Sequence, residues 1–449
     1  MGHLYYQVVD VTDFGPYVTK LILGMPRKVT AQELKPELFS VYVEVKDKAG
    51  QVVELPKSFI QRDQFIPSRG YRPVTAAYPC SLQGVPVEEE SSFVALEMPY
   101  GPIWKCSAAL AADFKSLNGH ESYTVRDYRV TLTGPVGEGD NALDGLVFDA
   151  SAGVFNPKAE RFLTGVSHHP ELPIRYGYFV PERLDGKKPL IIFLHGAGEG
   201  GQDLPIAWSG NKVTAFTEPE VQEQFGGAFV LVPQCDTMWL DDGSGQYGHS
   251  GRSKYTEALK VLIDEFIERF SAVIDVQRIY IGGDSNGGFM TMRMLMSYPD
   301  AFTAAFPICE AMLDKCITDE DIEHLKDIPM WFVHAKNDPV VRPEQYAVPT
   351  YRRLMAAGAE NCHFTYWEKI VDMHAGFKNE QGEPYEYLGH FAWIPVFNDD
   401  CRLDFDGKPV MLNGREVTLM AWLAHQKKAA EQAKTACAKS RRHTVRNLV

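Results

Sequence analysis

The chain is poor in the features that mark several large protein classes. Its eight cysteines form no Cys-x-x-Cys pair and show no ligand spacing, which speaks against a structural zinc module. No apolar run approaches the roughly 20 residues that a membrane helix needs. The first residues, Met1-Gly2-His3-Leu4-Tyr5-Tyr6-Gln7, lack the basic start and long apolar stretch of a secretory leader. Excess positive charge is absent too: the net charge is −14, whereas a nucleic-acid partner usually demands a basic face. Internal repeats and low-complexity runs are missing. The expectation is a soluble, cytoplasmic protein with no membrane or nucleic-acid partner, a secreted form with its leader removed being the alternative. One segment departs from the acidic balance. Between residues 427 and 446 seven Lys and Arg stand against one Glu, a basic tail that reads as a solvated helix end or an assembly contact.

What is present is core-forming material. Hydrophobic residues make up 45% and aromatics 12% of 449 residues, too long a chain for one ordinary core, so two or three domains are expected. In the N-terminal part Phe39, Val41, Val43 and Val45 alternate with Ser40, Tyr42 and Glu44, the period of a half-buried strand. Tyr128, Val130 and Leu132 repeat the pattern. Further strands are expected near 5–11, 18–23 and 93–98, at a spacing that suits a small sandwich. Residues 134–157, rich in Gly, Asp, Asn and Ala, read as linker. The division is then a β-sandwich at 1–140, a linker and lead-in at 141–170, a catalytic domain at 171–430 and the basic tail at 431–449.

Beyond the linker the period changes. Short apolar runs at 176–180, 190–194, 229–232, 279–281, 330–333 and 364–366 suit strands covered on both faces. Helical patterns lie between them: Ala258, Leu259, Leu262, Ile263, Phe266, Ile267 and Phe270 form one apolar stripe. Strands alternating with helices imply an α/β domain with a parallel sheet and a site at the carboxyl ends of the strands.

The chemistry centres on Gly283-Asp284-Ser285-Asn286-Gly287, which follows the strand-like Arg278-Ile279-Tyr280-Ile281-Gly282 and leads into a helical run. A strand, a sharp Gly-flanked turn and a helix lift a serine Oγ above a sheet as a nucleophile. Such a serine needs a base, and the base needs an acid to orient it. Asp338 follows the apolar run 330–333 on a loop, where that acid belongs. Four histidines lie downstream. His334 sits at a strand end and reads as structural; His363 precedes its strand. His390, in Tyr387-Leu388-Gly389-His390-Phe391-Ala392-Trp393, is favoured as base, its loop anchored by Trp393, with His374 as competitor. Backbone donors for an oxyanion are expected at Asn286 and at Ala197, with Gly198 second, in the loop His195-Gly196-Ala197-Gly198-Glu199-Gly200-Gly201. Around them His195, Gly198, Glu199, Gln234, Trp239 and Trp393 are the candidate pocket residues, Trp239 as an apolar wall or equally as core, and Glu199 as a polar rim group or, in the favoured reading, a solvated loop charge.

The same loop matches Gly-x-Gly-x-x-Gly at Gly196, Gly198 and Gly201. A dinucleotide site would need a helix opening at the third glycine and an acid about 20 residues on. Gln202-Asp203-Leu204-Pro205 opens a helix poorly, and Glu218 and Glu220 fall in a polar stretch. The pair His168-His169 shows no ligand partners, so no metal is expected.

With these pieces placed, residues 170–430 resemble the α/β-hydrolase superfamily, in particular the esterases related to polyhydroxybutyrate depolymerases and feruloyl esterases. The resemblance rests on Leu194-His195-Gly196-Ala197-Gly198-Glu199, Val232-Pro233-Gln234-Cys235, the stretch from Arg278 to Gly288, Asp338-Pro339-Val340-Val341, Gly389-His390-Phe391-Ala392-Trp393 and Ala421-Trp422-Leu423-Ala424-His425-Gln426. It implies a mostly parallel central sheet, a Ser285-His390-Asp338 triad, no cofactor and a small ester as substrate. It further implies an immunoglobulin-like N-terminal domain through which homo-oligomers form. Two departures stand out: Asn286 replaces the Met that relatives often carry, and the segment 372–386 is long and polar, as a lid would be. The expected activity is that of a serine carboxylesterase on short acyl or aryl esters. A serine peptidase on small peptides and a carbohydrate- or surface-binding protein with a degenerate hydrolase domain are the alternatives.

Overall fold

The computed structural model describes residues 3–47, 49–56, 64–112, 120–245, 247 and 250–428. The chain divides into two compact units, Met1–Arg161 and Phe162–Val449. Most of the basic tail, including all of 431–449, lies outside the described residues.

The first unit is built on period-two strands. Phe39–Lys46 buries every second residue from Phe39 to Val45, as its alternation demands. Eight strands hydrogen-bond in the order Arg69–Arg72, Phe39–Lys46, Val125–Leu132, Val147–Phe155, His3–Thr12, Gly15–Val29, Ser91–Glu97, Ala76–Cys80. The central pair, His3–Thr12 with Val147–Phe155, is parallel. The two halves of this sheet bury one common cluster: Val41, Val43 and Val130 from one side share it with Leu21, Leu23, Val94 and Leu96 from the other. Tyr5 ties them together, its hydroxyl accepting the Tyr128 N–H at 3.0 Å. The linker expected at 134–157, and the lead-in at 141–170, are corrected here. Val147–Phe155 is a strand of this sheet, hidden because its residues Asp149 to Gly153 are small or polar.

The second unit contains an eight-stranded sheet: β1 (Leu163–Val166), β2 (Arg175–Phe179), β3 (Lys188–Leu194), β4 (Phe229–Gln234), β5 (Ile274–Asp284), β6 (Ala304–Ile308), β7 (Met330–Ala335) and β8 (Cys362–Trp367). Their spatial order is β1-β2-β4-β3-β5-β6-β7-β8. β1 and β2 run antiparallel to their neighbours, and β3 to β8 are mutually parallel. This is the mostly parallel sheet that the resemblance implies. β6 had no counterpart in the sequence reading because Pro307 interrupts its apolar run, and proline is uncommon inside a central strand.

Both sheet faces are covered. On one, Leu190, Ile192, Leu231, Ile281, Phe332 and Phe364 pack with α1 (Thr256–Arg269) and α2 (Asn286–Ser297). On the other, the Phe193 ring lies 6.0 Å from Phe216 and 5.3 Å from Phe397, and Trp331 meets Trp422 edge-on at 5.5 Å. Since β3 is buried at every position, its carboxyl end and the β5 exit are held rigidly. That rigidity is what a site on the strand ends requires.

Candidate active site

The turn between β5 and α2 is tight enough to need its glycines. A Cβ on Gly283 would stand 2.5 Å from the Leu194 carbonyl oxygen, and one on Gly287 would overlap that same carbonyl. A Cβ on Gly288 would meet Glu310 Cα at 2.6 Å. Ser285 itself takes φ 53° and ψ −113°, a strained backbone for an L-residue that persists only where the surroundings fix it. They do: the Ser285 N–H donates to Ile308 O at 2.9 Å, and its carbonyl accepts from Phe289 N at 2.9 Å and Ala311 N at 3.2 Å. The side chain is left half-buried at the start of α2.

Three loops converge on that serine. Ser285 Oγ donates to His390 Nε2 at 3.0 Å, and His390 Nδ1 donates to Asp338 Oδ2 at 2.8 Å. His390 is 6% and Asp338 4% exposed. Asp338 Oδ1 is held by the N–H groups of Val340 at 2.8 Å and Val341 at 3.0 Å. Burial alone pushes this carboxyl upward, but the hydrogen bonds from His334 and His390 outweigh it and hold the group well below the usual carboxylate range. Asp338 therefore stays ionised and fixes the tautomer that leaves Nε2 free to accept. The His390 loop is wedged against the Asp338 loop: a Cβ on Gly389 would lie 2.8 Å from the Asn337 carbonyl oxygen. Trp393 sets its ring edge to the imidazole at 5.9 Å.

The glycine loop after β3 lies beside this chain. Between Leu190 and Gly200 every residue is buried except Ala197 and Gly198, so the loop surfaces only at the expected donors. Asn286, as the first residue of α2, has an N–H without an intrahelical carbonyl. Its side chain is turned away, Oδ1 accepting the Leu240 N–H at 3.1 Å. The loop main chain is pinned from below. Cys235 N donates to His195 Nε2 at 3.2 Å, which leaves His195 Nδ1 to donate to Gly196 O at 2.6 Å. Gln234 Nε2 donates to Glu199 O at 2.9 Å and Asp203 O at 3.0 Å.

Several candidate pocket residues thus serve as supports. His195 and Gln234 are each 1% exposed, and Glu199, expected at the rim or in solvent, is corrected to buried at 5% exposure; their side chains lie beneath the loop main chain. Of the two readings open for Trp239, pocket wall and core, the structure selects core. It is fully buried in the main cluster, between the His195 ring at 5.1 Å and the Tyr255 ring at 5.6 Å. Sequence could place it after β4 but could not tell which way the loop turns. His374 is not brought to the serine: its Nε2 pairs with Asp400 Oδ2 at 2.9 Å, half exposed. The segment 372–386 is an exposed hairpin pinned at its base. There Asp372 accepts from Tyr387 OH at 2.9 Å and Phe377 N at 2.9 Å.

Other residues of the site carried no sequence signal. Glu310 is fully buried behind α2, its Oε2 accepting Met312 N at 2.6 Å, and burial raises its carboxyl well above the usual range. Asn211 comes from a distant turn to bond Asp284. Among the described residues no group of three or more His, Cys, Asp or Glu side chains is arranged to hold a metal ion. No described helix is long and apolar enough to cross a membrane.

Comparison with known proteins agrees with both units. Residues 4–142 match the family described as "Esterase Ig-like N-terminal domain", and residues 178–375 match "Phospholipase/Carboxylesterase". The chain is 31% identical over 137 residues to feruloyl esterase B of Neurospora crassa, covering 29% of this chain and 42% of that one. It is 29% identical over 162 residues to acyl-protein thioesterase 1 of Cryptococcus neoformans, covering 34% and 66%. The chain thus spans less than half the length of the feruloyl esterase it matches. The crystal structure of a thermostable esterase superposes with a TM-score of 0.71 at 24% identity, over 94% of this chain and 99% of that one, a likeness of fold. The chain thus joins an immunoglobulin-like N-terminal domain to an α/β-hydrolase domain, each matching a family of esterase type.

Proposed function

We propose that this protein is a serine carboxylesterase acting on small acyl or aryl esters, phenolic ones included. The observation that carries the reading is the unbroken hydrogen-bonded chain from Ser285 through His390 to Asp338, at 3.0 and 2.8 Å. The two family matches and the esterase names of the relatives support it. In the first step Ser285 Oγ attacks the ester carbonyl carbon while His390 Nε2 takes its proton. The tetrahedral oxyanion is met by the N–H groups of Ala197 and Asn286, each such donor being worth about 10²- to 10³-fold in rate. His390 then returns the proton to the leaving alcohol, and an acyl-serine remains. Water, deprotonated by the same imidazole, attacks the acyl carbon, and the imidazolium returns that proton to Ser285 Oγ as the acyl–oxygen bond breaks and the acid leaves. Asp338 holds Nδ1–H and stabilises the imidazolium in both halves. No bound group is needed for any of these steps.

The wild-type protein is expected to hydrolyse short p-nitrophenyl acyl esters. Ser285→Ala is expected to lose at least about 10⁴-fold in kcat. Retention of most activity by that variant overturns the reading.

A further inference from the structure

Three polar side chains that the proposed mechanism does not use meet behind the oxyanion loop. Asp284 immediately precedes the nucleophile and is 1% exposed; Glu199 lies on the loop and is 5% exposed; Asn211 comes from a third segment and is 9% exposed. Asn211 Nδ2 donates to Asp284 Oδ2 at 2.9 Å. A Cβ on Gly196 would stand 2.7 Å from Asp284 Oδ2, 2.8 Å from Glu199 Oε2 and 3.5 Å from Asn211 Nδ2. Glu199 also presses on the following turn, its Cγ lying 2.7 Å from where a Gly210 Cβ would be. The two carboxyl groups and the amide therefore fill the space that a side chain at Gly196 would take.

We propose that Asp284, held by Asn211, and Glu199 are positioning residues that set the distance between the oxyanion loop and the nucleophile turn. The inference rests on the esterase reading above. Its physical basis is that oxyanion donors act only when aimed at the place where charge develops, so a misplacement near 1 Å costs about 10²-fold. His195, accepting the Cys235 N–H, and Gln234 fix the loop to the β4 exit. Asp284 is covalently next to Ser285, and Glu199 is two residues from Ala197. Their packing around the Gly196 Cα ties loop and nucleophile turn directly to each other. The glycine is required because the acids occupy its side-chain space.

The test compares Asp284→Ala and Glu199→Ala with Asp284→Asn and Glu199→Gln in the full chain. It uses p-nitrophenyl acetate as substrate and an aryl trifluoromethyl ketone as tetrahedral analogue. The alanine variants are expected to lose about 10- to 100-fold in kcat with KM within threefold. Ketone affinity should fall by the same factor as kcat/KM, and the amide variants should recover most of the loss. If Asp284→Ala does not fold, Asn211→Ala removes the amide that holds Asp284, with both acids in place, and is expected to show the same parallel loss. Alanine variants that keep kcat and ketone affinity within threefold overturn the proposal, as do amide variants no better than alanine. Failure of the esterase reading is a separate result, seen as wild-type protein without activity.

Discussion

His334 donates its Nε2–H to the same Asp338 carboxylate oxygen that holds His390, at 3.0 Å. The ring is fully buried and its Nε2 also reaches Val341 O at 2.9 Å, which requires the proton on Nε2. Asp338 Oδ2 thus receives two imidazoles, one buried and fixed, the other facing the serine. His334→Ala leaves Asp338 with one fewer donor and is expected to lower kcat about tenfold, the rough value of one hydrogen bond to a charged group. Steady-state kinetics on a p-nitrophenyl ester check this. Asp338→Asn should cost far more, about 10³- to 10⁴-fold, because the amide no longer enforces the His390 tautomer.

His374→Ala is expected to leave kcat/KM within twofold. Its imidazole is paired with Asp400 and half exposed, away from the Ser285–His390 chain. A loss beyond tenfold in the same assay would show that His374 takes part in catalysis.

Glu310→Gln should change the pH dependence of stability. Burial raises the Glu310 carboxyl well above the usual range, so the folded protein keeps a proton that the unfolded chain releases above about pH 4.5. The folded state binds more protons in that window, and stability falls as pH rises, by about 1.4 kcal/mol per unit. The glutamine variant escapes this loss. Its Tm relative to wild type is therefore expected to rise between pH 5 and pH 8, as thermal melts across that range would show; a constant difference contradicts the assignment.

Gly287→Ala forces a Cβ into the Leu194 carbonyl at the β3 exit. The strand there is buried at every position, so the backbone has little room to yield. The expected cost is about 1–3 kcal/mol, together with loss of activity because the turn carries Ser285. Denaturant unfolding of the variant measures the first and ester turnover the second.

The parts of this architecture with a strong local period were legible in the sequence. Phe39 to Val45 and the run Leu190 to Leu194 declared their strands because burial on one or both faces writes itself into the residue pattern. Val147–Phe155 and Ala304–Ile308 did not. The first carries small and polar residues and the second a proline, and both are held by neighbours distant in sequence. In the site, the nucleophile turn was readable since its glycines answer a local steric need. His390 was favoured over His374 by its glycine- and tryptophan-flanked loop, but its contact with Ser285 depends on where distant loops fold back. Asn211 and Glu310 were opaque, and Trp239 was left between wall and core, for the same reason: their roles are set by contacts across the fold.

The central claim is that Ser285 is activated by His390. Intact-mass analysis after exposure to a fluorophosphonate probe tests it most directly. The account predicts one adduct on wild-type protein, mapped to Ser285, no adduct on Ser285→Ala, and labelling slowed at least about 10³-fold in His390→Ala. Wild-type protein that stays unlabelled, or His390→Ala labelled as fast as wild type, would contradict it.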